Sequence, residues 1–200
     1  MMAQGGETQA AGGLVEVVLL GHSYVRRLSE YAGQSPTTAH LGMSDIRIRF
    51  VCQGGMTLRP NKPGKCIRDH LTELRARPPA VIILHIGEND LGENVSAGEV
   101  VGEIVHLVSD ITHDCQCAVY VTQLLPWPKH SEKVRNDILE INEELKNTLP
   151  SHHFWRHRRG LNSCNPAVFL HDKVHLNDTG MAHYFDSMRT LVGRAVKHPA

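Results

Sequence analysis

Between Pro79 and Gly87 the chain runs Ala80–Ile86 as AVIILHI, apolar at every position except His85. A strand with one face in water alternates apolar and polar residues, and this run does not. It suits a central strand of a parallel sheet covered on both faces. Such a sheet needs crossover helices on either side, and the flanking sequence supplies them. Leu14–Leu20 is a strand candidate ending at Gly21, and Ser23–Gly33 has helical spacing, with Val25, Leu28 and Ala32 near one face. Asp45–Cys52 alternates Ile46, Ile48 and Phe50 with Arg47 and Arg49, the period-two pattern of a half-exposed edge strand. Gly64–Arg77 reads as a helix stopped by Pro78-Pro79. Ser96–His113 reads as another, with Ser96 and Glu99 forming a capping box. Ala118–Leu124 is a strand broken by Pro126 and Pro128, Ser131–Leu149 a helix, His152–Trp155 a short strand and Asp178–Val196 a closing helix. Alternating strands and helices with right-handed crossovers give a three-layer α/β/α sandwich, with ligands expected at the carboxyl ends of the strands.

Two hundred residues fit one domain at 14–200, preceded by a small, polar tail at 1–13 that is expected to be disordered. That tail lacks the basic start and apolar run of a signal peptide, and no stretch approaches the ~20 apolar residues of a membrane span. A cytoplasmic protein is the expectation. Lys plus Arg equals Asp plus Glu, so the net charge of zero argues against a nucleic-acid partner or an anionic membrane, while local basic patches are allowed. The five cysteines are odd in number and form no CxxC pair, which favours reduced thiols over a disulfide framework or a zinc site.

Four short segments carry chemistry, and three of them directly follow strands. Ser23 stands in Gly21-His22-Ser23 after the first strand, Gly54-Gly55 after the second, and Gly87-Glu88-Asn89-Asp90 after the third. A parallel sheet brings all three to one rim. Asp172-x-x-His175 precedes the last helix and can fold over the same rim. A serine hydroxyl needs a base to become a nucleophile at neutral pH, and His175 is suited to that task. Asp172 can hold the imidazole in the required tautomer. Ser23 opens a helix, where backbone N–H groups favour developing negative charge. The N–H groups of Ser23 and Gly55 and the Asn89 amide would supply three oxyanion donors.

In this order and spacing, Gly-x-Ser, Gly, Gly-x-Asn-Asp and Asp-x-x-His resemble the four blocks of the SGNH (GDSL-like) hydrolase family, over about residues 14–195. The resemblance implies a flavodoxin-like sheet of five parallel strands and a serine esterase without metal or organic cofactor. Ser23 would be the nucleophile, His175 the base and Asp172 its partner. Gly55 is preferred over Gly54 because the family's glycine is followed by x-Thr, here Met56-Thr57. The chain departs from the family at His22, where Asp is usual, and His22 offers Ser23 a second hydrogen-bond partner. The stretch Gly21–Leu28, with Trp155–Arg158 and Val174–Asn177, also resembles SGNH-type domains of animal transposon-associated reading frames.

Taken singly, these residues have plain readings: Ser23 as a helix cap, Gly54-Gly55 and Asn89-Asp90 as turns, Asp172 and His175 as a surface pair. The joint arrangement reverses them. His85 reads as a core or rim histidine, His152, His153 and His157 as members of a polar stretch, and Arg156–Arg159 as a solvated basic loop. Trp127, His22 and Gly54 are candidate substrate contacts. With no long insertion to form a lid, an open site for short acyl esters of a sugar, lipid or small alcohol is expected. An acyltransferase using the same triad and a catalytically silent binding module, linked to nucleic acid through Arg156–Arg159, stand as alternatives.

Overall fold

The computed structural model describes residues 14–60 and 63–198, so the expected tail at 1–13 lies outside the described residues. The elements run β1 (Val15–Gly21), α1 (Ser23–Ala32), β2 (Ile46–Cys52), α2 (Leu71–Ala76), β3 (Val81–His85), α3 (Ala97–Cys115), β4 (Ala118–Thr122), α4 (Glu132–Thr148), β5 (Phe154–Trp155) and α5 (Asp178–Lys197). The five strands form one sheet in the order β2-β1-β3-β4-β5, every pairing parallel. The chain therefore starts near the middle, steps out to the β2 edge, and crosses back to build the other half.

Strand alternation sorts the core into two layers. Val18 and Leu20 of β1, Ile82 and Leu84 of β3, and Val119 and Val121 of β4 face α3 and α4, meeting Ile104, Leu107, Ile138 and Ile141. Their neighbours Val17, Leu19, Val81, Ile83 and Tyr120 face α1 and α5, meeting Leu28, Tyr184, Met188 and Leu191. Both faces are thus dry, as the unbroken apolar run at β3 requires. Ser96 caps α3 through the expected capping box with Glu99.

Several elements are shorter than their local sequence suggests, β5 among them, with only Phe154–Trp155 of the expected His152–Trp155. The expected helix over Gly64–Arg77 contains a 3-10 turn at Ile67–His70 and only six α-helical residues at Leu71–Ala76. Upstream, Thr57 N–H donates to Lys65 O and Ile67 N–H to Thr57 O, each at 2.9 Å, holding residues 65–67 extended beside 57. Similarly, β4 stops at Thr122 rather than Leu124. The Asn142 side-chain amide takes both backbone groups of Leu124, accepting its N–H at 2.8 Å and donating to its carbonyl at 2.9 Å. Among the described residues no helix is long and apolar enough to cross a membrane.

Candidate active site

The order of strands leaves β1 and β3 side by side, with the chain departing from β1 toward β2 and from β3 toward β4. Ligands bind at such a reversal, outside the carboxyl ends of the strands. Gly21 ends β1 against β3 so tightly that a Cβ there would lie 2.2 Å from the His85 carbonyl oxygen. This close approach turns the chain directly into α1, making Ser23 its first residue. Its N–H has no acceptor within the helix, as is true of every helix start.

Gly55 lies in the turn after β2 with φ of +74°, a left-handed conformation that glycine adopts without steric cost. Its neighbour Gly54 accepts a 3.3 Å hydrogen bond from Lys65 Nζ through its carbonyl. The turn after β3 is tied to the same loop twice. Asn89 Nδ2 donates one hydrogen to Met56 O at 2.9 Å, which fixes the amide plane and leaves its second hydrogen free to point elsewhere. Asp90 accepts the Leu58 N–H at 3.0 Å and the Arg59 N–H at 3.3 Å. Burial pushes the Asp90 carboxyl upward, and these backbone donors oppose the shift.

The fourth segment is a tight turn between Phe169 and Leu176, which pair as an antiparallel bridge. Asp172 Oδ1 accepts the N–H groups of Val174 and His175 at 2.9 Å each, while Oδ2 meets His175 Nδ1 at 2.7 Å. Desolvation would raise the Asp172 pKa, but the backbone and ring hydrogen bonds of His175 outweigh it and hold the carboxyl well below its usual range. An ionised Asp172 thus accepts from Nδ1–H, leaving His175 Nε2 as the basic nitrogen. Tyr24, next to Ser23, donates its hydroxyl to Val174 O at 2.6 Å and thereby seats this turn against the start of α1. Within 3.5 Å no hydrogen bond joins Ser23 Oγ to His175 among the described residues. Trp127 lies half-buried, 6.5 Å between ring centroids from Tyr24 and stacked on His130 at 4.3 Å.

His22 departs from expectation. Its ring is 0% exposed and turns inward, so it neither lines a substrate surface nor bonds to Ser23. Nε2 lies 2.8 Å from Glu88 Oε2, and Glu88 Oε1 lies 2.9 Å from His85 Nε2 and accepts the Leu125 N–H at 2.9 Å. Tyr184, whose pKa burial and then the Glu88 charge raise well above normal, keeps its proton and donates to His85 Nδ1 at 2.7 Å. Burial favours a neutral Glu88, but the electrostatic pull and hydrogen bonds of the His22 and His85 ring N–H groups prevail and hold it well below the usual range. The result is a fully buried carboxylate with three donors, one of them on His22, the residue before Ser23. His22, His85 and Glu88 also place three potential metal-ligand atoms within 4.8 Å. Protons already satisfy the Glu88 contacts. His157 lies in a polar stretch of sequence, yet it is buried and stacked on His85, with burial pushing its pKa well down.

The sequence reading missed Glu88, Tyr24 and Lys65. Histidines at two adjacent strand ends and an acid three residues after the second were the available signal for Glu88. Nothing local marks Tyr24, whose partner lies 150 positions away.

No protein-family model matches the chain, and no curated protein matches it in sequence. Solved structures do match it in shape. The psychrotrophic esterase EstA from Pseudoalteromonas sp. is 14% identical with a TM-score of 0.65, over 92% of this chain and 99% of that one. The acetyl xylan esterase AlAXEase is 16% identical with a TM-score of 0.64, over 89% and 100% of the two chains. A member of the lipolytic protein G-D-S-L family from Veillonella parvula is 13% identical with a TM-score of 0.64, over 92% and 97%. The chain is similar in fold to these proteins along nearly its whole length: a three-layer α/β/α sandwich around five parallel strands.

Proposed function

We propose that this protein is a carboxylic ester hydrolase that works through an acyl-enzyme on Ser23. The observation that carries the proposal is the 2.7 Å Asp172–His175 pair, seated by Tyr24 against the helix that Ser23 opens. In the proposed reaction, Ser23 Oγ attacks the ester carbonyl carbon as His175 Nε2 takes the hydroxyl proton. Asp172, ionised and bonded at Nδ1, stabilises the imidazolium that forms. The carbonyl oxygen becomes an oxyanion held by the N–H groups of Ser23 and Gly55 and the second hydrogen of Asn89 Nδ2. Collapse breaks the bond to the alcohol oxygen, which leaves with the proton from His175. A water molecule, deprotonated by His175, then attacks the acyl carbon, and Ser23 departs with its proton restored. Three donors of this kind are worth about 3–4 kcal/mol each in the transition state.

Among the described residues no long insertion covers the rim, and Trp127 packs its ring 6.5 Å from Tyr24, the residue after Ser23. Both features favour small acyl groups, with acetyl esters first. Hydrolysis of p-nitrophenyl acetate, butyrate and octanoate by the wild type and by Ser23→Ala tests the reading. Turnover that falls with acyl length and vanishes in Ser23→Ala is expected. Equal rates for wild type and variant on all three esters would overturn it.

A further inference from the structure

α5 forms one wall of two adjoining clefts of about 560 and 670 Å³, whose linings include none of Ser23, Gly55, Asn89, Asp172 and His175. They share Arg159, Asp186, Thr190 and Arg194. The α5 wall is one helical stripe, in which His183, Asp186, Ser187, Thr190, Arg194 and Lys197 recur three or four residues apart. From His183 to Lys197 it spans about 21 Å at 1.5 Å per residue. Trp155 of β5 and the arginines that follow it form the facing wall.

Charge along this cleft is predominantly positive. Asp186 is the sole carboxylate lining it among the described residues, and Arg159 already pairs with it at 3.0 Å. Arg156 and Lys146 share Glu143 just outside. Arg158, Arg189, Arg194 and Lys197 are exposed and have no carboxylate within 4.0 Å among the described residues. In a chain whose acids and bases balance, this is segregation rather than excess. Arg194 and Lys197 stand three residues apart on one helix face, where like charges repel, so an anionic partner would relieve an existing cost.

An aromatic face is built into the same cleft. The Trp155 indole is half-buried and fixed, its Nε1 donating to Ser187 Oγ at 2.9 Å. Ser187 Oγ in turn lies 2.8 Å from Nδ1 of buried His157. A pinned, partly exposed indole flanked by unpaired cations offers stacking beside phosphate contacts, the combination that holds single strands without reading their sequence. A concave cleft admits a single strand, whereas a duplex is met by elements that project into its grooves.

We propose that this cleft binds the phosphodiester backbone of a single-stranded nucleic acid, with phosphates on Arg158, Arg189, Arg194 and Lys197 and a base against Trp155. Net charge argues against such a partner only as an average over the chain, and the fold removes the averaging. The cleft shares no lining residue with the Ser23 site, and the proposal stands independently of the esterase reading.

The test is fluorescence anisotropy of labelled oligo-U and oligo-dT, each about 12 nucleotides, titrated with the full chain. The controls are a matching duplex and phosphatidylserine vesicles. Four phosphate contacts predict a log–log salt slope near −3, so affinity falls roughly 50-fold between 50 and 200 mM salt. The triple variant Arg158→Gln, Arg194→Gln, Lys197→Gln should reduce that slope by about 2. Trp155→Leu should weaken binding about five-fold or more with the slope unchanged, and Trp155→Phe, which keeps the ring but loses the Ser187 bond, should recover most of it. Binding of either single strand with these responses supports the proposal, and the tighter strand identifies the source. Vesicles bound as tightly as the oligonucleotides, a slope untouched by the triple variant, or no single-strand binding at 50 mM salt would each overturn it. Unchanged circular dichroism and a cooperative thermal unfolding transition in the variants exclude misfolding as the cause.

Discussion

Replacing Glu88 tests whether the buried carboxylate bonded to His22, His85 and Leu125 holds the strand ends together. Its two oxygens do different work: Oε2 serves His22 alone, while Oε1 serves both His85 and the Leu125 N–H. In Glu88→Gln the amide oxygen can occupy the Oε1 place and keep both of its donors. The new NH2 then faces His22 Nε2. His22 Nδ1 has no partner among the described residues, so its proton can move there and let Nε2 accept. What is lost is the charge-assisted strength of the bonds, about 1–2 kcal/mol. In Glu88→Ala all three donors lose their acceptor inside a dry core. At about 1–3 kcal/mol each, offset in part by solvent entry, the expected cost is about 4–6 kcal/mol. That is a large share of the ~5–15 kcal/mol that holds a domain folded. Urea denaturation at pH 7, followed by circular dichroism, separates the two. A loss below about 1.5 kcal/mol in Glu88→Ala, or Glu88→Gln as damaging as Glu88→Ala, would refute the assignment of three donors to one carboxylate. The same unfolding midpoints against pH give a second reading. His85 and His157 are held neutral, with burial as the first cause, so their contribution is full above the unfolded histidine pKa of about 6.5 and is lost as pH falls. Glu88 has a lowered pKa in the fold, so its contribution persists to about pH 4.3 and is lost below that; Glu88→Gln should lack this second stage.

Asn89→Ala removes one proposed oxyanion donor and should lower kcat for p-nitrophenyl acetate by about 10²–10³ with KM little changed; a loss under ten-fold would remove Asn89 from that role. Tyr24→Phe deletes the hydroxyl that seats the His175 turn, so kcat should fall roughly 10- to 100-fold at a stability cost near 1 kcal/mol. Unchanged kcat there would mean that the turn holds its position without Tyr24. Gly21→Ala must push β1 from β3, since its Cβ would meet His85 O at 2.2 Å, and a cost of about 3 kcal/mol is expected. Its control, Gly98→Ala, meets nothing within 4 Å near the start of α3 and should raise the thermal midpoint slightly. Similar midpoints for the two would contradict the close strand contact.

Much of this protein is written locally. The apolar run of β3, the alternation in β2 and the Ser96–Glu99 capping box are near-neighbour patterns, and their elements lie within two residues of their expected bounds. Once a parallel sheet is required, connectivity alone carries Ser23, Gly55 and Asn89 to one rim, because each directly follows a strand. The parts that were not legible depend on partners distant in sequence. The helix expected from Gly64 is cut short by bonds to Thr57, and β4 is ended by an amide from α4. His22 looked like a neighbour available to Ser23, but the turn after Gly21 aims it into the core at an acid 66 residues away. Arg156, His157 and Arg158 read as one polar stretch until the fold buries the middle residue and leaves the arginines facing α5. Local propensity and pattern decide which elements form. Where a side chain points and which charges gather is settled by the packing of elements far apart in the chain, because burial and hydrogen-bond satisfaction are properties of the assembled core.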